Sequence, residues 1–221
     1  MSWNNREGLT SGKNLYRVTE GVTLAIRKAE HSSKPIIILD HADRTNDTTF
    51  VLRELMEQEA QNAAVPLLKG AKAAKICGDA GVGATVEVSV GGGTGWRDGG
   101  PVRVKGKILW TGRGTYMATG PMRRGLQTDH GPTAIMQVGG IWLQLTTFGS
   151  SLIDEDPFIQ FGYKPSDFGI IVTKSKTHFR EVYQKVGEEI IIVDAPGQCP
   201  ADLSVFQYRN VPPGIYPITK K

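Results

Sequence analysis

Cysteine is scarce: Cys77 and Cys199 are the only two in 221 residues. That excludes a disulfide framework and a four-cysteine zinc site, and it makes a reduced compartment the default. Long apolar runs are missing too. The strongest, Pro35 to Leu39 and Ile190 to Val193, are far too short to cross a bilayer. The opening MSWNNREGLTSGKNLYR has no apolar stretch of the kind a secretory signal carries. A cytoplasmic protein with no membrane partner is therefore expected. An excess of one charge is lacking as well. The 26 basic and 22 acidic residues leave a net charge of +4, with the basic residues spread along the chain. Nucleic acid is not an expected partner. The chain also has no HExxH, Walker or paired-cysteine motif, and Gly81-Val-Gly-Ala-Thr-Val lacks the third glycine of a dinucleotide fingerprint.

What is present is the composition of a globular chain, 39% hydrophobic and 22% charged, with 27 glycines that forecast many tight turns. Residues 1–14 read as a loose lead-in. Val18 to Ala29 reads as a helix stopped by Pro35. Ile36 to Asp40 is a β-branched run of the kind that forms a strand covered on both faces. A helix over about Thr49 to Asn62, a strand at Val65 to Leu68 and a helix over Ala71 to Ala80 follow, which implies a βαβ unit. From Ala84 the pattern alternates. Strands are expected at Ala84 to Val90, Val102 to Trp110, Thr133 to Val138 and Ile141 to Thr146, with Gly139-Gly140 as a hairpin turn. Gly112 to Gly131, which holds Asp129-His130, reads as a long loop. The last third returns to α/β. A short helix is expected at Asp156 to Phe161, a strand at Phe168 to Thr173, a helix at Thr177 to Val186 and a strand at Glu189 to Asp194. The expected class is α/β: a mixed sheet with βαβ units flanked by helices, plus an antiparallel β-rich middle section. Residues 1–33 read as a lead-in and connecting helix, and 34–221 as the domain.

Two polar constellations follow apolar strands, and the carboxyl ends of such strands are where open α/β sheets bind ligands. The first is Asp40, His41, Asp43 and Asp47. It could hold a cationic group or a divalent metal, or serve only as turn and cap chemistry, with Asp47 or Thr48 capping the next helix. The second is Lys174, Ser175, His178 and Arg180. Two cations near an expected helix start suit a carboxylate or phosphate, and His178 has the intrinsic acidity of a general acid or base. The plainer reading makes Ser175 or Thr177 a cap and His178 a surface residue. A Ser175–His178 nucleophile pair is a further alternative, without the glycine elbow that usually surrounds such a serine. The expected ligand-binding set is therefore Lys174, Ser175, His178, Arg180, Asp40, Asp43 and Asp47. No metal ligands and no catalytic residues are assigned.

Several blocks, in this order, resemble the C-terminal domain of microcystinase C (MlrC)-like zinc metallopeptidases. They are Pro35-Ile-Ile-Ile-Leu-Asp-His-Ala-Asp43 with Asp47-Thr-Thr49, Ala80-Gly-Val-Gly-Ala-Thr85, Gly120-Pro-Met122, Asp129-His-Gly-Pro-Thr-Ala134, Gly139-Gly-Ile141, Val172 to Arg180, and Val193-Asp-Ala-Pro-Gly197 with Pro200-Ala-Asp-Leu203. The resemblance spans about residues 15–217. It implies a hydrolase family acting on amide bonds of small or linearised peptides. It also implies that zinc sits on a separate N-terminal domain or subunit, to which nothing here corresponds. The segment between Asp43 and Asp47 is shorter than the glycine-rich version common in the family, and Thr146-Thr-Phe-Gly-Ser150 departs from its usual turn. The expectation is an accessory, substrate-facing domain, inactive alone and with no cofactor of its own. The alternatives are a stand-alone protein binding a small molecule or anion, and an independent hydrolase using Asp40, Asp43 and His178.

Overall fold

The computed structural model describes residues 15–216 and 218, so the expected lead-in at 1–14 lies outside the described residues. One mixed sheet organises them. Its strands are β1 (Leu15–Tyr16), β2 (Ile36–Asp40), β3 (Ala63–Lys69), β4 (Thr85–Val90), β5 (Val102–Met117), β6 (Gln127–Val138), β7 (Ile141–Thr146), β8 (Ile170–Thr173) and β9 (Glu189–Val193). The order across the nine-stranded sheet is β1-β9-β2-β8-β3-β7-β6-β5-β4. From β1 to β7 every neighbouring pair is parallel, and from β7 to β4 every pair is antiparallel. The expected βαβ part and antiparallel part are thus halves of one sheet. Ile36 to Asp40 and Ile170 to Thr173 are buried throughout, as double-sided burial of a central strand demands.

Helices α1 (Val18–Ala29), α2 (Phe50–Glu57) and α3 (Ala71–Ala80) cover one face, where Val22, Leu52, Leu55 and Cys77 meet Ile36, Ile38, Leu143 and Leu145. The other face is aromatic. There α4 (Asp156–Ile159), α5 (Arg180–Val186) and their loops bring Phe158, Phe168, Phe179 and Tyr183 onto Ile37, Leu39, Ile171 and Trp142. No helix among the described residues is long and apolar enough to cross a membrane.

Three elements differ from expectation. Helix α2 stops at Glu57, not near Asn62, because Glu59 turns left-handed at φ 51° and the Ala60 amide bonds back to Leu55. Helix α5 begins at Arg180 rather than Thr177; its cap position is Phe179, drawn into the core and fully buried. The expected long loop at Gly112 to Gly131 is mostly strand. β5 and β6 run on as one hairpin, with register shifts at Ile108/Trp110 and Arg113/Thr115. Those bulges and the glycines at 112 and 114 break the alternation that marks a strand.

The glycine-rich Gly91 to Gly100 segment is clamped onto the start of α2. Thr49 donates its amide to Asp98 O at 2.9 Å and its hydroxyl to Gly100 O at 2.7 Å. Gly92 sits at φ +62°, and a Cβ there would lie 2.0 Å from the Gly100 carbonyl carbon. Gly92→Ala is expected to cost about 2 kcal/mol or more through left-handed strain and this clash. A denaturant titration measures it, and an unchanged midpoint would refute the clamp.

Candidate functional site

Strands β2 and β8 are parallel neighbours, with Leu39 beside Thr173. Their following loops therefore leave from the same edge of the sheet, which brings the two constellations together. Lys174, the first residue after β8, points its ammonium into the loop after β2. Its Nζ donates to Asp43 Oδ2 at 2.7 Å, to Thr48 O at 2.7 Å and to Thr48 Oγ1 at 3.0 Å, with Asp40 Oδ2 3.6 Å away. The three donors of the ammonium are all used. Thr48 passes its hydroxyl proton to Asp40 Oδ2, 2.9 Å away, or to Asp43 Oδ2, 3.0 Å away. The Asp43 carboxylate also accepts the Thr45 and Thr48 amides at 2.7 and 3.0 Å. Asp40 and Asp43 are fully buried and Lys174 is 4% exposed.

The two carboxyls respond oppositely to this setting. Burial pushes Asp43 up, but the Lys174 charge and the hydrogen bonds it accepts outweigh that and hold it well below the usual carboxylate range. Burial dominates at Asp40, and the neighbouring Asp43 charge adds to it, so Asp40 is raised despite Lys174. A carboxylate locked by an ammonium and a hydroxyl is a latch between two loops. It leaves neither aspartate open as a general base. Nor does the set fit zinc, since a cation already sits among its oxygens. Among the described residues no three His, Cys, Asp or Glu side chains gather to hold a metal ion.

The other expected site residues fall elsewhere along the same edge. Asp47 does not cap α2, whose cap position is Thr49 without a side-chain bond. Its Oδ2 accepts the Gly93 and Thr94 amides at 2.9 and 2.7 Å, tying down the glycine-rich segment. Ser175 is buried, and its hydroxyl finds no protein partner among the described residues. His178 is exposed and Arg180 half-buried, and both line an open cleft with Pro121, Met122, Ile153, Thr177 and Glu181.

One wall of that cleft comes from the hairpin that holds Gly120-Pro-Met122, a block of the family resemblance that was not placed in the expected ligand-binding set. β6 runs past the end of β7, since its pairing with β7 starts only at Thr133, so the β5–β6 hairpin projects beyond the carboxyl edge. Its tip folds back onto the segment before α4. Thr119 donates its amide and hydroxyl to Asp156 at 2.8 and 2.7 Å. Gly120 lies so close to Asp154 that a Cβ would meet the Asp154 Cβ at 2.4 Å. Arg123 reaches Ser150 Oγ at 3.3 Å, and Tyr183 donates its hydroxyl to Asp154 O at 2.9 Å. The Tyr116 and His130 rings stand 5.6 Å apart in the same corner. Burial and the Asp156 charge push Asp154 up to about 6, while burial lowers His130. Asp154 Oδ1 and His130 Nε2 are buried without partners among the described residues. Asp129-His130 was a sequence signal for this corner; Asp154 and Asp156 gave none.

Fold and site together define an α/β domain whose carboxyl edge carries a lysine–carboxylate latch and, beside it, an open cleft, with no metal centre among the described residues. Residues 42–210 match the family model described as MlrC C-terminus, and the chain belongs to that family. No curated protein matched the chain. Among solved structures it is similar to a proposed metallopeptidase from Mesorhizobium sp. BNC1, with a TM-score of 0.82 and 20% sequence identity. The match covers 100% of this chain and 44% of that one, so the chain spans less than half the length of this neighbour. At that identity the likeness speaks to the fold. The expected family and mixed α/β class are both found.

Proposed function

We propose that the chain is the accessory, substrate-facing part of an MlrC-like metallopeptidase acting on small or linearised peptides. In this reading zinc sits on an N-terminal domain or separate subunit, and this chain binds and orients the peptide. The observation that carries the reading is the projecting hairpin. It holds Met117, Met122 and Leu126 beyond the carboxyl edge at 55–60% exposure. Apolar side chains gathered at one corner mark a face that meets a partner or a ligand. Of the expected ligand-binding set, Arg180 and His178 would face the peptide. Asp40, Asp43 and Lys174 would hold the loop that shapes the edge, Asp47 would brace the glycine-rich segment, and Ser175 would lie beneath. The scarcity of cysteine agrees with a cytoplasmic setting.

The test adds this chain to the zinc-loaded N-terminal part of an MlrC-like protein and follows sedimentation and peptide cleavage. The reading expects a complex and faster cleavage, with both reduced by Leu126→Glu. Cleavage at the same rate with and without this chain, and no complex, would overturn it.

A further inference from the structure

The cleft beside Arg180 has a volume of about 510 Å³, within the range that small ligands occupy. Its walls are Pro121 and Met122 of the hairpin tip on one side and Thr177 to Glu181 on the other, with buried Ile153 between them. A cleft of similar size at the opposite edge of the sheet, lined by Leu55, Met56, Glu59 and Gly139 to Ile141, brings no cation. Here one is supplied. The Arg180 guanidinium lies 5.4 Å over the ring of Phe179, which is fully buried. No described carboxylate pairs with it. The adjacent acid, Glu181, is taken by Lys185 at 2.6 Å. A second donor, His178, stands on the same wall.

We infer that this cleft binds the free carboxylate of an apolar residue at the end of a short peptide. The planar fork of Arg180 matches the two oxygens of a carboxylate, and Met122, Ile153 and Pro121 offer a surface to the side chain beside it. This deepens the substrate-facing reading and rests on it, naming the end of the peptide that this domain holds.

The full chain is titrated with N-acetylleucine and, separately, with N-acetylleucinamide, by ¹H–¹⁵N NMR. The acid should saturate a site whose shifts map to residues 121–122, 153 and 177–181. The amide should bind at least tenfold more weakly, because it lacks the charge that Arg180 reads. Arg180→Ala should weaken the acid at least tenfold and leave the amide unchanged, while Arg180→Lys recovers part of the loss. Should Arg180→Ala fold poorly, Met122→Glu at an exposed position must weaken the acid by more than it weakens the amide, since both lose the apolar contact and only the acid meets the added charge. Equal binding of acid and amide, saturation elsewhere, or no binding of either at millimolar concentration overturns the inference. Stimulation of the zinc-carrying part would survive Arg180→Ala if only this inference were wrong. It would be absent from the unaltered chain if the reading beneath it were wrong.

Discussion

Lys174→Ala is expected to be the most damaging single substitution along the carboxyl edge. It leaves Asp43 and Asp40, both fully buried, without the ammonium that sits 2.7 and 3.6 Å from their oxygens. Breaking a buried pair by removing one partner costs about 3 to 5 kcal/mol, because the other charge stays desolvated. For a domain of this size each kcal/mol moves the melting temperature by about 2 to 4 °C, so a drop on the order of 10 °C is expected. The cost should shrink in acid. Asp43 is held below its unfolded value, so its stabilising contribution is present above about pH 4 and is lost as the pH falls towards its lower folded value. The gap between wild type and Lys174→Ala therefore narrows below about pH 4. Adding Asp43→Asn to Lys174→Ala should cost much less than the sum of the single changes, since both remove the same contact. Calorimetric melts of the three variants measure this. A shift for Lys174→Ala no larger than that of an exposed lysine such as Lys185 would show that the latch is not structural.

Asp154→Asn is expected to stabilise the protein at pH 8 and to leave it nearly unchanged at pH 4. Burial, then the neighbouring Asp156 charge, push the Asp154 carboxyl up to about 6. The folded protein thus holds this proton more tightly than the unfolded chain, whose aspartates titrate near 3.9. The contribution to stability is full below about pH 4 and is lost as the pH rises through about 6. Above that, a charge stands in a buried corner with Oδ1 unpartnered among the described residues. A shift of about two units corresponds to roughly 2 to 3 kcal/mol, so the asparagine variant should gain on that order at pH 8. Urea midpoints at the two pH values check the sign. A variant less stable than wild type at pH 8 would mean that the charged form is satisfied in the fold.

How far the molecule could be read in advance follows from what sets each part. β2, β8 and β9 were legible because short β-branched apolar runs bounded by polar residues have few other uses in a globular chain. β7 and the Gly139-Gly140 turn were legible because the turn residues fix the register. The extension of β5 and β6 was not, since two bulges shift the inward and outward positions and Gly112, Gly114 and Pro132 read locally as turns. In the site, the aspartates after β2 and the lysine after β8 were each visible. Their pairing was not, because Lys174 and Asp43 lie 131 residues apart and meet only through the adjacency of β2 and β8. That pairing changes the chemistry: Lys174 serves the latch, and Arg180 is left as the cation facing solvent. Asp129-His130 hinted at the Asp154 corner, but Asp154 and Asp156 did not, because the hairpin tip must fold back over the edge before Thr119, Gly120 and Arg123 meet residues 150–156.

The central claim is that this chain recognises a peptide and another part of the enzyme cleaves it. The most direct measurement presents the purified chain with zinc and a linear peptide, separates it by gel filtration, and assays the metal and the peptide together. The account predicts that the peptide is bound and intact and that the metal is washed away. One zinc retained per chain, with the peptide cleaved, would contradict it.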